Sequence, residues 1–200
     1  MNFKKYDEFK KKNYNTSFLM NKFIFQNNEF KNFFISQEKT NYDFYYFLGK
    51  NENEINNICQ IGLCCGYFIG MFLLAKENIN NFYLFDTSNN NKQILRLTKN
   101  NLLFFKNKDF NFGFKDKEIL EKISYLDCEL LIIFDSLFSE NNLEEILNLF
   151  EKNKFARILI LDNLKDDINF ENKIKNFSII RNMTFEKYIK RNNVIALRKK

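Results

Sequence analysis

The sequence predicts an α/β protein built on a largely parallel sheet, and three observations carry that reading. Residues Ile58–Asp86 run as apolar strand, glycine turn, apolar helix, second strand and closing acid. Continuous apolar runs closed by polar residues recur at Glu129–Asp135 and Arg157–Asn163, each followed by a segment of helical period. Two last apolar runs are separated by a polar link only. Strands alternating with helices need crossovers and so a parallel sheet, whereas a closely linked final pair closes antiparallel at one edge.

The first stretch organises the chain. Gly62, Gly66 and Gly70 are three of its five glycines, in a protein without proline. Ile58 to Leu63 reads as a buried strand that stops at glycine, and Gly66 opens an apolar run to Ala75, about three helical turns. Asn81 to Phe85 is the second strand and Asp86 closes it. Glycines let a backbone approach a ligand, a helix start offers free N–H groups, and an acid at the second strand's end is placed for two ribose hydroxyls. The uncharged run Ile61–Ala75 is fifteen residues long, short of the roughly 18 to 20 of a membrane span. An ordinary strand and helix without ligand would leave the concentration of scarce glycine unexplained. G-x-G-x-x-G is absent, so a nicotinamide or flavin fingerprint fits poorly.

On those residues the stretch resembles motif I of the class I S-adenosylmethionine-dependent methyltransferases. It is most similar to the branch with catechol and caffeoyl-coenzyme-A O-methyltransferases and their small bacterial relatives. That branch has a strand-end acid, Gly-x-x-x-Gly-Tyr-Ser, and an acid ending the second strand. Here Gly62, Gly66, Tyr67 and Asp86 match, Gln60 stands in place of the first acid and Phe68 in place of the serine that helps hold the cofactor's carboxylate. The resemblance, over residues 55 to 200, implies a Rossmann-like sheet of seven strands in the order 3-2-1-4-5-7-6. Its last strand is antiparallel, helices cover both faces, and residues 1–54 form an N-terminal helical cap on one compact domain.

Composition narrows the chemistry. Two hundred residues suit one domain with a sizeable core, and 45% hydrophobic residues argue against disorder. Abundant Asn, Lys, Ile and Phe suggest compositional drift, so most asparagines read as surface filler. The chain has no histidine, which excludes Ser-His-Asp and Cys-His catalysis, His-ligated zinc and a histidine base. Cys59, Cys64, Cys65 and Cys128 form no C-x-x-C pair and read as buried free thiols. No apolar segment follows the basic N-terminus, so a cytoplasmic, reducing setting is expected, with no membrane partner. Seven basic residues from Arg181 to Lys200, against Glu186 alone, account for the whole net charge of +6. This end reads as a solvated hairpin and tail, with phosphate contact left open.

Taken in order, residues 1 to 50 carry aromatic clusters without period-two alternation and read as two or three helices. Lys50–Asn57 is the polar junction to the first strand. After Asp86, Ser88 could cap a helix running to about Asn100, with Leu95, Leu102 and Leu103 facing the core. Phe110–Phe114 alternates as a strand, and Lys117–Ser124 has a helical pattern. Glu140–Lys152 is amphipathic, with Leu143, Ile146, Leu147 and Phe150 on one side. Asp166–Lys175 reads as a helix, and Phe177–Met183 and Val194–Arg198 as the closing strands, joined through polar Lys187–Asn193.

The expected sites lie at the sheet's carboxyl edge, where open α/β sheets bind ligands. The resemblance assigns Gln60, Gly62, Gly66 and Tyr67 to the methionine end of S-adenosylmethionine, Asp86 to the ribose and Asp116 to the adenine, with Leu63, Thr87 and Asp135 also among the cofactor-binding residues. Asp135 ends the fourth strand and Asp162–Asn163 the fifth, matching the family's metal ligands residue for residue. These hard oxygen ligands suit Mg²⁺ or another divalent cation, which would lower the pKa of a substrate hydroxyl. Strand-end carboxylates at a cleft are expected to be solvated. Phe138 stands where the family has its base lysine, and Lys165 is the candidate substitute beside catalytic Asp135. The expected function is methyl transfer to oxygen of a small molecule or sugar. A methyltransferase-fold protein without catalysis, serving in binding or assembly, and an RNA methyltransferase are the alternatives left open.

Overall fold

A computed structural model describes residues 42–76, 78–86, 92–103, 105, 107–114, 121–134, 143–162, 169–180, 185–191 and 194–199. The described residues of Ile55–Leu63, Asn80–Asn90 and Asp109–Lys200 form one compact unit, and those of Met1–Glu54, Cys64–Ile79 and Asn91–Lys108 another.

The first unit holds the sheet. Its strands are β1 (Asn57–Ile61), β2 (Asn81–Asp86), β3 (Phe110–Phe114), β4 (Leu130–Phe134), β5 (Ile158–Asp162), β6 (Phe185–Arg191) and β7 (Val194–Lys199). They pair in the order β3-β2-β1-β4-β5-β7-β6. The ladders from β3 to β5 are parallel, and β7 runs antiparallel to both its neighbours. This is the expected Rossmann-like sheet of seven strands.

Successive residues of a strand face opposite sides. Cys59 and Ile61, Leu131 and Ile133, Leu159 and Leu161, and Ile195 and Leu197 accordingly share one buried cluster. Two helices of the same unit add the other half, Leu143, Ile146, Leu147 and Phe150 from α4 (Leu143–Lys152) and Ile174 and Phe177 from α5 (Asn169–Ile180). The alternate residues Ile58, Gln60, Ile132 and Ile160 are buried as well. Burial on both faces is why these strands read as unbroken apolar runs.

A buried asparagine closes the amino edge. The Asn153 amide donates to the carbonyls of Ile123 (2.7 Å) and Leu126 (3.0 Å), and its oxygen accepts from the N–H groups of Phe155 and Ala156, both at 2.9 Å. Asn57 is buried at the same edge, where its side-chain oxygen accepts from Asn81 across the β1–β2 pair. These asparagines are structural, contrary to the surface role that composition suggests. All four cysteines are free thiols; Cys64 is half-buried and the other three are buried. Cys59 and Cys128 lie side by side, and burial first, then the hydrogen bond between them, raises the Cys59 thiol well above its usual range.

The other unit contains α1 (Tyr42–Asn51), a tight turn at Cys64–Gly66, α2 (Tyr67–Ala75) and α3 (Lys92–Leu102). Helix α1 falls in the segment read as helical; the rest of that expectation, residues 1–41, lies outside the described residues. Tyr45 on α1 stacks on Phe68 of α2, ring centroids 4.2 Å apart and 20° from parallel. Residue 68 therefore spends its side chain on an aromatic contact, where the branch that the sequence resembles has a hydroxyl. Among the described residues, no helix is long and apolar enough to cross a membrane.

Three local expectations are corrected. Phe177–Ile180 is helix, not strand: α5 continues to Ile180, carrying Ile174 and Phe177 inward at helical spacing, residues 181–183 lie outside the described residues, and the strand found is Phe185–Arg191. Arg191 pairs directly with Val194, so only residues 192 and 193 link the two closing strands. On α3 the buried residues are Leu97, Thr98, Asn101 and Leu102, whereas Leu95 is half-buried and Leu103, just past the helix end, is 70% exposed. The expected cap at Ser88 lies outside the described residues.

Candidate cofactor site at the carboxyl edge of the sheet

Register fixes what meets at this edge. Ile61 stands opposite Phe85 on one side and Ile133 on the other, so the next residue along each strand falls in one row. Asp86 pairs with Phe114 and Phe134 with Asp162. The row therefore reads Phe114, Asp86, Gly62, Phe134, Asp162. Gly62 N–H donates to the Phe85 carbonyl at 2.8 Å, which extends the β1–β2 ladder by one step beyond the strand.

Gly62 has φ of +83°, a region open to glycine and costly for other residues. A Cβ on it would also run into the carbonyl of Phe134. The chain is thus turned away from the sheet at the one position where β1 and β4 leave no room for a side chain.

Gln60, one residue before the end of β1, is fully buried between Leu84 and Ile132 in the register. Its Nε2 donates to the Gly62 carbonyl at 2.6 Å. Its Oε1 is buried and accepts no hydrogen bond among the described residues. Leu63 is buried. Asp86 ends β2 and is buried to 2% exposure, a carboxylate withdrawn from solvent at a strand end. Such a group suits a ligand that brings paired hydroxyls.

In the other unit, the turn before α2 keeps an unusual backbone. Cys64 and Cys65 have φ of +40° and +54°, followed by Gly66 at +80°. Two consecutive non-glycine residues in the left-handed region are uncommon, and nothing in the residue types signals them. The Asn101 amide of α3 donates to the Cys65 carbonyl at 2.9 Å and holds the turn from within the same unit. Gly66 is the N-cap of α2, and no side-chain hydrogen bond caps the helix there. Tyr67 follows, buried, and burial first, with the Cys65 thiol next, pushes its hydroxyl far above the usual tyrosine range.

Of the expected metal set, Asp162 alone is described. It is fully buried at the end of β5, not solvated, because its neighbour in the row is Phe134 and the strand around it is buried throughout. Asp135 and Asn163 lie outside the described residues, as do Thr87, Asp116, Phe138 and Lys165. Among the described residues no group of three acidic or thiol side chains could hold a metal ion.

No protein-family description matches this sequence, and no curated protein matches it. The fold, however, recurs widely among solved structures and is that of the class I S-adenosylmethionine-dependent methyltransferases. An S-adenosylhomocysteine-bound methyltransferase of Podospora anserina, PaMTH1, is 11% identical with a TM-score of 0.58, over 82% of this chain and 80% of that one. A caffeoyl-CoA O-methyltransferase assigned in Staphylococcus aureus is 14% identical with a TM-score of 0.55, over 93% of this chain and 99% of that one. A precorrin-6y C5,15-methyltransferase of Geobacter metallireducens is 14% identical with a TM-score of 0.54, over 78% and 87%. At these identities the likeness is one of fold.

Proposed function

We propose that this chain is an S-adenosylmethionine-dependent methyltransferase acting on an oxygen of a small molecule or sugar. The observation that carries the reading is the row at the carboxyl edge. A glycine that no side chain could replace sits one strand away from a buried carboxylate, in the fold shared with cofactor-bound methyltransferases.

In this reading Asp86 accepts hydrogen bonds from the two ribose hydroxyls, with Thr87 beside it and Asp116 towards the adenine. Gln60, Gly62 and Leu63 face the methionine end. Residues 55–200 are the catalytic domain, preceded by residues 1–54 as a separate segment. Asp135, Asp162 and Asn163 offer the hard oxygen donors that a divalent cation takes, and a cation held there would polarise the substrate hydroxyl. Lys165 is the group proposed to take the proton.

Titration calorimetry tests the reading. The wild-type protein is expected to bind S-adenosylmethionine, and Asp86→Ala to weaken that binding by roughly 1.5 to 3 kcal/mol, the scale of hydrogen bonds to a charged group. No binding at millimolar cofactor would refute the methyltransferase reading and favour a non-catalytic binding protein. In the same instrument, Asp162→Ala should lose Mg²⁺ binding that the wild type gains once cofactor is present.

A further inference from the structure

We infer that Gln60 is a positioning residue whose amide does at neutral pH what a carboxylate there could not. It donates to the Gly62 carbonyl, and it leaves a neutral oxygen for a ligand that brings a hydrogen-bond donor. The second half rests on the methyltransferase reading; the first does not.

The argument starts from burial. Gln60 is wholly enclosed in a register row of apolar neighbours, Leu84 and Ile132. A polar side chain in such a row costs free energy unless it is hydrogen-bonded. The amide nitrogen is satisfied by the Gly62 carbonyl at 2.6 Å, and that partner fixes which end of the amide faces the turn, because a carbonyl oxygen only accepts. The same Gly62 peptide is anchored at its other end, where its N–H donates to Phe85 at 2.8 Å. Gly62 is therefore held from both sides at φ of +83°, with the Phe134 carbonyl closing the space where a side chain would be. The Gln60 amide is the side-chain half of that clamp.

An ionised carboxylate at position 60 is acceptor-only, so it would face the Gly62 carbonyl with like partial charge. Only its protonated form could make the bond. The glutamine here is thus matched to a backbone acceptor and is not a worn acid. The remaining oxygen, Oε1, is buried with no hydrogen bond among the described residues. A native buried acceptor in that state calls for a partner, and a donor that arrives with a ligand supplies one. An ammonium or hydroxyl group fits; an anionic group does not.

The test compares Gln60→Glu and Gln60→Met on the ligand-free protein and then with S-adenosylmethionine. Urea unfolding of Gln60→Glu should match wild type most closely near pH 5 and fall progressively below it up to pH 8. A buried glutamate that must stay protonated has a folded pKa above its unfolded value, so its stability is lost as pH rises. A Gln60→Glu protein as stable relative to wild type at pH 8 as at pH 5 would overturn the clamp. If Gln60→Glu does not fold at pH 8, recovery of the fold at pH 5 supports the clamp, and failure at both refutes a protonation-dependent bond. Gln60→Met keeps shape but has neither donor nor acceptor, and its stability should track wild type across pH. Its affinity for S-adenosylmethionine should fall tenfold or more, and unchanged affinity would refute the role of Oε1. Wild-type protein that binds no cofactor, together with the pH-dependent loss in Gln60→Glu, would defeat the methyltransferase reading and the ligand half while the clamp stands.

Discussion

Gly62 and Phe134 leave no space between them: a Cβ on Gly62 would lie far inside contact distance of the Phe134 carbonyl oxygen. The obstacle is backbone of the neighbouring strand, so no side-chain movement relieves it. Gly62→Ala must bear both the left-handed φ and the clash, or push β1 from β4. The expected loss is at least ~2 kcal/mol, read by urea denaturation, from the strain of a non-glycine residue in this region alone. A variant within ~0.5 kcal/mol of wild type would show that the turn relaxes freely.

This glycine was readable from sequence, and so was the sheet, for one physical reason. Strands buried on both faces are unbroken apolar runs, and the chain has so few glycines that a cluster of them marks a constrained turn. Asp86 was readable as the acid closing such a run. The edge strand Phe185–Arg191 was not, because four of its seven residues are charged, as suits an edge that must not pair further. Phe177–Ile180 looked like a strand because three apolar residues around Ser178 are too few to show a period of their own. The partners of Gln60 and Asn153 were out of reach as well. Both bond to backbone groups that residue types do not reveal, and in a chain rich in asparagine nothing distinguishes the buried ones.

Phe68 offers a direct check of why a ring stands where the branch that the sequence resembles has a serine. Its ring stacks on Tyr45 at 4.2 Å and is 3% exposed. Phe68→Ser should therefore cost about 3–5 kcal/mol, the range for deleting a buried aromatic ring, and leave a hydroxyl facing Tyr45. Differential scanning fluorimetry should show a marked fall in Tm without any gain in cofactor affinity. Tighter cofactor binding with an unchanged Tm would mean that position 68 still serves the ligand.

Asn153 joins two loops through four backbone partners. Asn153→Ala would strand the Ile123 and Leu126 carbonyls and the Phe155 and Ala156 N–H groups in a buried position. With each stranded group costing about 1–3 kcal/mol, a loss of ~3 kcal/mol or more is expected. Asn153→Asp keeps the acceptor but sets a buried carboxyl group against the Ile123 and Leu126 carbonyls, so its stability should fall further as pH rises and the carboxyl ionises. Equal stability of all three proteins in urea would place these bonds outside the folded ensemble.

Lys199 carries the pH-dependent prediction, and it revises the reading of the basic chain end. Its Nζ donates to the carbonyls of Phe150 and Asn153, the second at 2.7 Å, and lies 4.3 Å from the centre of the Phe150 ring. The side chain thus covers the last carbonyls of α4, where a cation also suits the helix dipole. It is not wholly a solvated charge. Burial lowers its pKa to about 8, against the opposing pull of Glu151 and Cys128. The unfolded value lies near ~10.4. Below pH 8 both states hold the proton, and the penalty for a half-buried charge is fully in place. Between about pH 8 and ~10.4 the unfolded chain binds more protons than the folded one, so this residue's contribution to stability rises with pH. Lys199→Met removes the titration and leaves the other groups untouched. The stability of wild type minus that of the variant should therefore be level from pH 6 to 7.5 and climb towards pH 10 in urea titrations. The side chain is half-exposed, so the climb should be smaller than the pKa displacement alone would give. A difference that stays flat across this window, or that falls, would return Lys199 to the solvated surface and leave the end of α4 without its cation.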